Sequence, residues 1–233
     1  MKYPEIIIKI DQELDQDLAW EFYSNPEIGG CNFWEERALK HHKKLLKIGL
    51  VKDKKDFLNK YILDFYRINA VEISEAKREI AQNLNEKKEG FFLTVDKIFK
   101  KYTWPKNSFI GYLSIFDFCP RFLDSGEFQV FIYDNKNLQL FTIFHEMLHF
   151  IFYDFVQKKF SKDFERMDTE KGKLWDLAEV FNAVIQDTDD FIKLHGKIKN
   201  IGYPDHKNLI LKGKDLWENN PDLNSWIIKM ANL

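Results

Sequence analysis

Cysteine is nearly absent: the 233 residues hold two, Cys31 and Cys119. That is too few for a disulfide framework, and they read as reduced thiols or at most one bridge. Glycine (10) and proline (6) are also sparse. No segment is rich in Gly, Ser or Pro and no repeat occurs, which excludes collagen-like, linker-like and low-complexity chains. Charge of one sign is missing too. The 35 basic and 37 acidic residues leave a net −2, so no global field draws the chain to nucleic acid or to an anionic membrane. No apolar run approaches the roughly 20 residues needed to span a bilayer. The opening MKYPEIIIKIDQELD has one short apolar patch and then acids. It lacks the apolar core and small-residue cleavage site of a signal peptide, so the cytoplasm is the expected compartment.

What is abundant is apolar and aromatic: 45% hydrophobic residues, 16% aromatic, 22 of them Phe. A chain this long buries a sizeable core without disulfide or metal staples. The first hundred residues read mostly as helices. Asp11 to Tyr23 is amphipathic and ends in the turn Ser24 to Gly30. Asn32 with Glu35 forms a capping box for a helix to about Lys47, and Asp53 caps another from Lys54 to about Ile68. Glu75 to Lys87 and Thr94 to Tyr102 have helical periodicity. The basic run from His41 to Lys60 reads as a solvated face rather than a nucleic-acid patch. After Pro105 the pattern changes. Phe109 to Phe116 and Phe128 to Tyr133 read as strands, with Asp124-Ser125-Gly126 as a turn, and long helices follow. This order predicts an α+β fold, with a helical part, then a small mixed sheet, then helices. Residues 1–52 form an N-terminal helical segment, separate from or joined to a domain over 53–233.

The segment Thr142-Ile-Phe-His145-Glu146-Met147-Leu148-His149-Phe150-Ile151 carries the chemistry. His145 and His149, at i and i+4, lie on one helix face with side chains close enough to converge on one metal ion. Glu146 points to the side, toward a water in the metal's open position. The helix is apolar nearly all round and therefore buried. Its polar residues, Gln139, Thr142, His145, Glu146, His149 and Tyr153, fall in one stripe at spacings of three and four. Burying two imidazoles and a carboxylate without partners is costly, and a metal removes that cost.

This segment resembles the active-site helix of the zincin metallopeptidases, with its His-Glu-x-x-His, Thr142 three positions before the first His, and uncharged neighbours. The resemblance covers about ten residues and one downstream helix. It implies that His145 and His149 are zinc ligands and Glu146 the general base. A catalytic zinc takes a third protein ligand. Phe152 and Phe155 stand where the metzincin subclass has Gly and His, so that subclass is excluded. The gluzincin subclass places a Glu on a later helix. The helix from Lys173 to Gln186 offers a second polar stripe, Asp176, Glu179, Asn182 and Gln186. Glu179 lies thirty residues after His149, at a separation gluzincins commonly show, and is central in the stripe; it is preferred as third ligand. Asp176 is the competitor, because another zincin subclass uses Asp. Asp176 or Asn182 would hold the ligand imidazoles as hydrogen-bond acceptors.

In gluzincins a His or Tyr outside the motif often donates a hydrogen bond to the tetrahedral intermediate. Tyr203 and His206, in Gly202-Tyr203-Pro204-Asp205-His206, are placed for that role or pack as a surface turn; Tyr153 is a further donor candidate. Arg121 either binds a substrate carboxylate or is a surface or structural residue. The expected activity is zinc-dependent peptide-bond hydrolysis on a peptide or protein substrate, with one Zn2+ and neither nucleic acid nor membrane as partner. The substrate would add as a strand at the edge formed by Phe128 to Tyr133. Two alternatives stand beside it: a catalytically silent zincin-fold metal-binding or regulatory protein, and a plain helical protein with no metal.

Overall fold

In the computed structural model, which describes residues 3–164, 166–199 and 202–233, the chain runs through six strands and ten α-helices among the described residues. Strand β1 (Glu5–Ile10) leads into α1 (Gln12–Ser24), and β2 (Glu27–Ile28) and β3 (Cys31–Asn32) form a small hairpin. A π-helical turn over Trp34–Ala38, α2 (Leu39–His41) and a 3-10 stretch (Lys43–Leu50) precede α3 (Lys54–Ile68) and α4 (Ala70–Phe99). Strands β4 (Ser108–Ser114), β5 (Arg121–Phe122) and β6 (Glu127–Phe131) follow. The chain ends in α5 (Lys136–Lys159), α6 (Ser161–Phe164), α7 (Lys173–Ile185), α8 (Asp189–His195), a 3-10 turn (Pro204–His206), α9 (Lys207–Asn219) and α10 (Leu223–Ala231). No helix among the described residues is long and apolar enough to cross a membrane.

The main sheet has the order β1-β4-β6-β5. β1 and β6 flank β4 in parallel, and β5 closes antiparallel on β6 through the Asp124-Ser125-Gly126 turn. Gly111 sits in the middle of β4, opposite Ile8 and Phe128. A Cβ there would lie 3.0 Å from the Phe128 ring and 3.1 Å from Ile8 Cδ1, so the close pairing of the three strands requires glycine. Aromatic pairs lock the helices to one another and to the sheet. Phe91 of α4 stacks on Phe144 of α5 at 4.4 Å, and Phe109 of β4 meets Phe150 of α5 at 4.7 Å.

The α+β class agrees with the expectation from sequence, and several elements differ. Residues 5–10 are a strand, because three β-branched Ile residues at 6, 7 and 8 fit a sheet edge. The capping box at Asn32 is present: its side chain accepts the Glu35 N–H at 2.8 Å, and the return bond to the Asn32 N–H comes from Glu36. The helix it opens winds as a π turn and a 3-10 stretch instead of running regularly to Lys47. The two helices expected at 75–87 and 94–102 are one helix of 30 residues. The boundary at 52/53 does not divide the packing. β1 pairs residue by residue with β4, so the first fifty residues and the rest share a sheet.

Asp15 of α1 is buried and ties that helix to the sheet. Its carboxylate accepts from Tyr66 Oη, Ser114 Oγ, the Ile115 N–H and Gln129 Nε2, at 2.7 to 3.0 Å. Burial pushes its pKa up to about 6 despite these four donors. Removing the acceptor leaves four buried donors unpaired, each worth about 1–3 kcal/mol. Asp15→Ala is expected to lower unfolding free energy by about 3 kcal/mol or more. Denaturant titration checks this, and a loss under about 1 kcal/mol would mean that the donors find other partners.

Candidate metal centre

Asn135 starts α5 by accepting the N–H groups of Asn137 and Leu138. The apolar run that follows forces burial of the helix, with Ile143, Met147, Leu148, Ile151 and Phe152 inaccessible to water. α7 packs along it, itself buried over Leu174, Ala178, Phe181 and Ile185. The polar stripes of the two helices therefore face one another.

Three side chains meet there. His145 Nε2 and His149 Nε2 are 3.0 Å apart. Glu179 Oε2 lies 3.3 Å from the first and Oε1 3.3 Å from the second. Their ligand atoms all fall within 4.8 Å of one another, and the three residues could hold a metal ion. Metal–ligand bonds near 2.0–2.1 Å at tetrahedral angles put ligand atoms about 3.3 Å apart, close to this spacing.

The hydrogen bonds around the cluster fix which atoms face inward. Gln186 Nε2 donates to the Phe141 carbonyl at 2.9 Å, which turns Gln186 Oε1 toward His145 Nδ1, also at 2.9 Å. A carbonyl oxygen only accepts, so Nδ1 carries the proton and Nε2 of the neutral ring is a lone pair. That lone pair points at a carboxylate oxygen and at the second imidazole. A metal ion placed between them would serve all three groups at once.

The titration behaviour has the same origin. For His149, burial and the Arg121 guanidinium depress the pKa to about 3. Burial also lowers His145, but Glu179 and Glu146 outweigh it and the net shift is upward. Glu179 is raised by burial and lowered by more through the two imidazoles, so it stays ionised. Glu146, beside them, is buried and its Oε2 has no partner among the described residues. Burial drives its pKa to about 7, against the pull of His145 and Arg121.

A cleft of about 450 Å³ opens onto His145, Glu146 and Glu179. The N-terminal hundred residues supply part of its wall through Cys31, Phe33 and Arg37, and Cys119 and Tyr203 also line it. Tyr203 is held by the β2–β3 turn: a Cβ on Gly29 (φ +56°) would lie 2.5 Å from its ring. Burial, with Glu179 and Glu146 near, raises its pKa and keeps the phenol protonated.

The remaining expected residues are placed elsewhere. Asp176 reaches neither imidazole of the cluster; it accepts from His206 Nε2 at 2.8 Å, one turn of α7 before Glu179. His206 is spent on that pair and packs at a tilt against Trp175, outside the cleft lining. Asn182 does not accept from an imidazole. Its Nδ2 donates to the His145 carbonyl at 2.9 Å, joining α7 to α5 main chain to side chain. Tyr153 donates to the Thr169 carbonyl at 2.9 Å instead of facing the cleft. Gln186, the residue that orients His145, was visible in sequence only as the last member of the α7 stripe. The Phe128 to Tyr133 strand is not an edge, since β5 covers its outer side at Phe128 and Glu127.

No protein-family model, curated protein or solved structure matches the chain.

In metal-free protein, His145 should titrate above 6.5, because its cation is stabilised by two carboxylates. His149 should stay neutral down to about pH 3. Imidazole 15N–1H NMR across pH 3–9 reads both; a His149 midpoint near 6.5 would contradict the arrangement described.

Proposed function

We propose that the chain is a zinc-dependent metallopeptidase of gluzincin-like, zincin-type organisation, holding one Zn2+ with His145, His149 and Glu179. The observation that carries this reading is Glu146 Oε2: a buried carboxylate oxygen, left without a partner, next to three converging ligand atoms at the foot of a cleft. A purely structural ion-pair network has no use for an unpaired carboxylate in that position, whereas a general base needs a free oxygen.

A bound Zn2+ supplies a Lewis acid and brings the pKa of a coordinated water toward 7. Glu146 Oε2 accepts the proton of the attacking water and then delivers it to the leaving amine nitrogen. Tyr203, protonated and in the cleft wall, donates to the oxygen that gains charge in the transition state. Gln186 accepts the His145 Nδ1 proton and turns Nε2 inward, and Asn182 holds the α5 backbone at the same residue. A substrate strand would lie along the outer edge of the segment that ends in β5, since β6 is covered. The cleft carries both signs of charge, with Arg37, Lys40 and Lys199 beside Glu36, Asp117 and Asp134, so peptides are not selected by net charge alone.

Glu146→Gln tests the reading. Zinc stoichiometry should stay near one per chain, while hydrolysis of a peptide-library substrate falls about 10²–10⁴-fold. Undiminished hydrolysis would remove Glu146 from the mechanism, and wild-type protein that takes up no zinc would remove the metal.

A further inference from the structure

Arg121 lies on β5, the short strand at the sheet edge, yet its side chain is buried. The guanidinium reaches past the strand to three acceptors contributed by three other segments. Nη1 donates to Glu179 Oε1 at 3.3 Å, and Nη2 donates to Tyr153 Oη and to the Thr169 carbonyl, each at 3.0 Å. Tyr153 in turn donates to the same Thr169 carbonyl and stacks on His149 at 5.6 Å. One cation thus links β5, α5, α7 and the segment before α7, and the two helices it links carry the three converging ligands.

The last torsion of Glu179 is loosely defined. The χ3 of a glutamate is broad and roughly two-fold, so its oxygens exchange places at little cost. Nothing on α7 fixes them. Gln186 and Asn182 act on His145, and Asp176 is engaged with His206. Only Arg121 among the described residues, apart from the imidazoles, binds the Glu179 carboxylate. It takes Oε1 and leaves Oε2 toward His145. A planar fork bound at three points is a rigid holder, which an ammonium on a flexible stem is not. We infer that Arg121 is the positioning residue for Glu179, setting the carboxylate orientation that the metal centre requires.

This rests on the metal reading proposed above. The guanidinium is also a positive charge beside a cation site, and by Coulomb repulsion alone its loss would tighten metal binding. The positioning role predicts the opposite sign, so the two effects are separable by measurement. Zn2+ affinity of apo protein, read by chelator competition, should fall about 10–100-fold in Arg121→Gln. Arg121→Lys should recover part of that loss, and the visible spectrum of the Co2+-loaded protein should change in Arg121→Gln. Circular dichroism of the apo variants establishes that they are folded. Should Arg121→Gln not fold, Tyr153→Phe removes one of the three holding points and should weaken Zn2+ about 3–10-fold, since Arg121 loses its acceptor there and the Thr169 carbonyl loses the Tyr153 donor. Affinity that is unchanged or tighter in the folded variant overturns the positioning role and leaves the metal site standing. Absence of Zn2+ and Co2+ uptake by wild type overturns the metal site itself.

Discussion

The packing of α5 on α7 buries three bases face to face, and the proposed metal is the charge that would serve all three together. Either imidazole nitrogen alone would be satisfied by a donor, and Glu179 by a lysine or arginine. Here the donors that approach are committed elsewhere. The His145 proton goes to Gln186, the Gln186 amide to Phe141, and the Asn182 amide to the His145 carbonyl. Arg121 takes one lobe of Glu179 and leaves the other lobe against the His145 lone pair. Taking a carboxylate out of water costs several kcal/mol unless opposite charge and hydrogen bonds compensate. The surrounding side chains supply the hydrogen bonds, and the proposed cation at the centre would supply the rest.

The N-terminal half belongs to this arrangement. Its residues fix the stretch after β4 that leads to the cleft. Asp15 holds the Ile115 N–H, and His42 Nε2 contacts the Ile115 carbonyl at 2.6 Å with its Nδ1 on Tyr61. Burial lowers the His42 pKa to about 4, so it serves as a neutral donor. Asp117, Phe118 and Cys119 then continue into the cleft wall, where Arg37 from the π-helical turn pairs with Asp117 at 3.2 Å. The N-terminal part of the chain is therefore part of the enclosure over the cluster, and its removal would open that wall.

Periodicity made the two buried helices and their polar stripes legible, because a narrow hydrophilic seam on an otherwise apolar helix leaves few ways to pack. The meeting of His145, His149 and Glu179 was legible from those stripes together with the His-Glu-x-x-His pattern. Asp176 and His206 stay out of the cluster because they bond to each other, buried His206 meeting the half-exposed Asp176 carboxylate where α7 emerges. Arg121 was opaque: its partner Glu179 is 58 residues away, and a two-residue strand has no period to detect. The 30-residue α4 was split in two because Lys87-Lys88-Glu89-Gly90 carries no apolar face and glycine lowers helix propensity. Tertiary contact overrides that: a Cβ at Gly90 would come within 2.9 Å of Leu194, so the glycine marks where α8 packs closest.

A proton and a metal ion would both satisfy the cluster, and the difference between them lies in how many bases each can serve. A proton on His145 Nε2 has one strong axis. It can turn to Glu179 at 3.3 Å or to His149 at 3.0 Å, but it does not serve both at once. A divalent ion has no such axis and accepts all three lone pairs together. The depressed pKa of His149 acts in the same direction, since a ring that stays neutral is a poor proton store and a good metal ligand. Glu146 completes the case. It lies on the same helix turn and keeps an oxygen free, and it is drawn into neither the Arg121 network nor the imidazole cluster. An arrangement selected only to bury charge would have used that oxygen; one selected to take a proton from water has to leave it open.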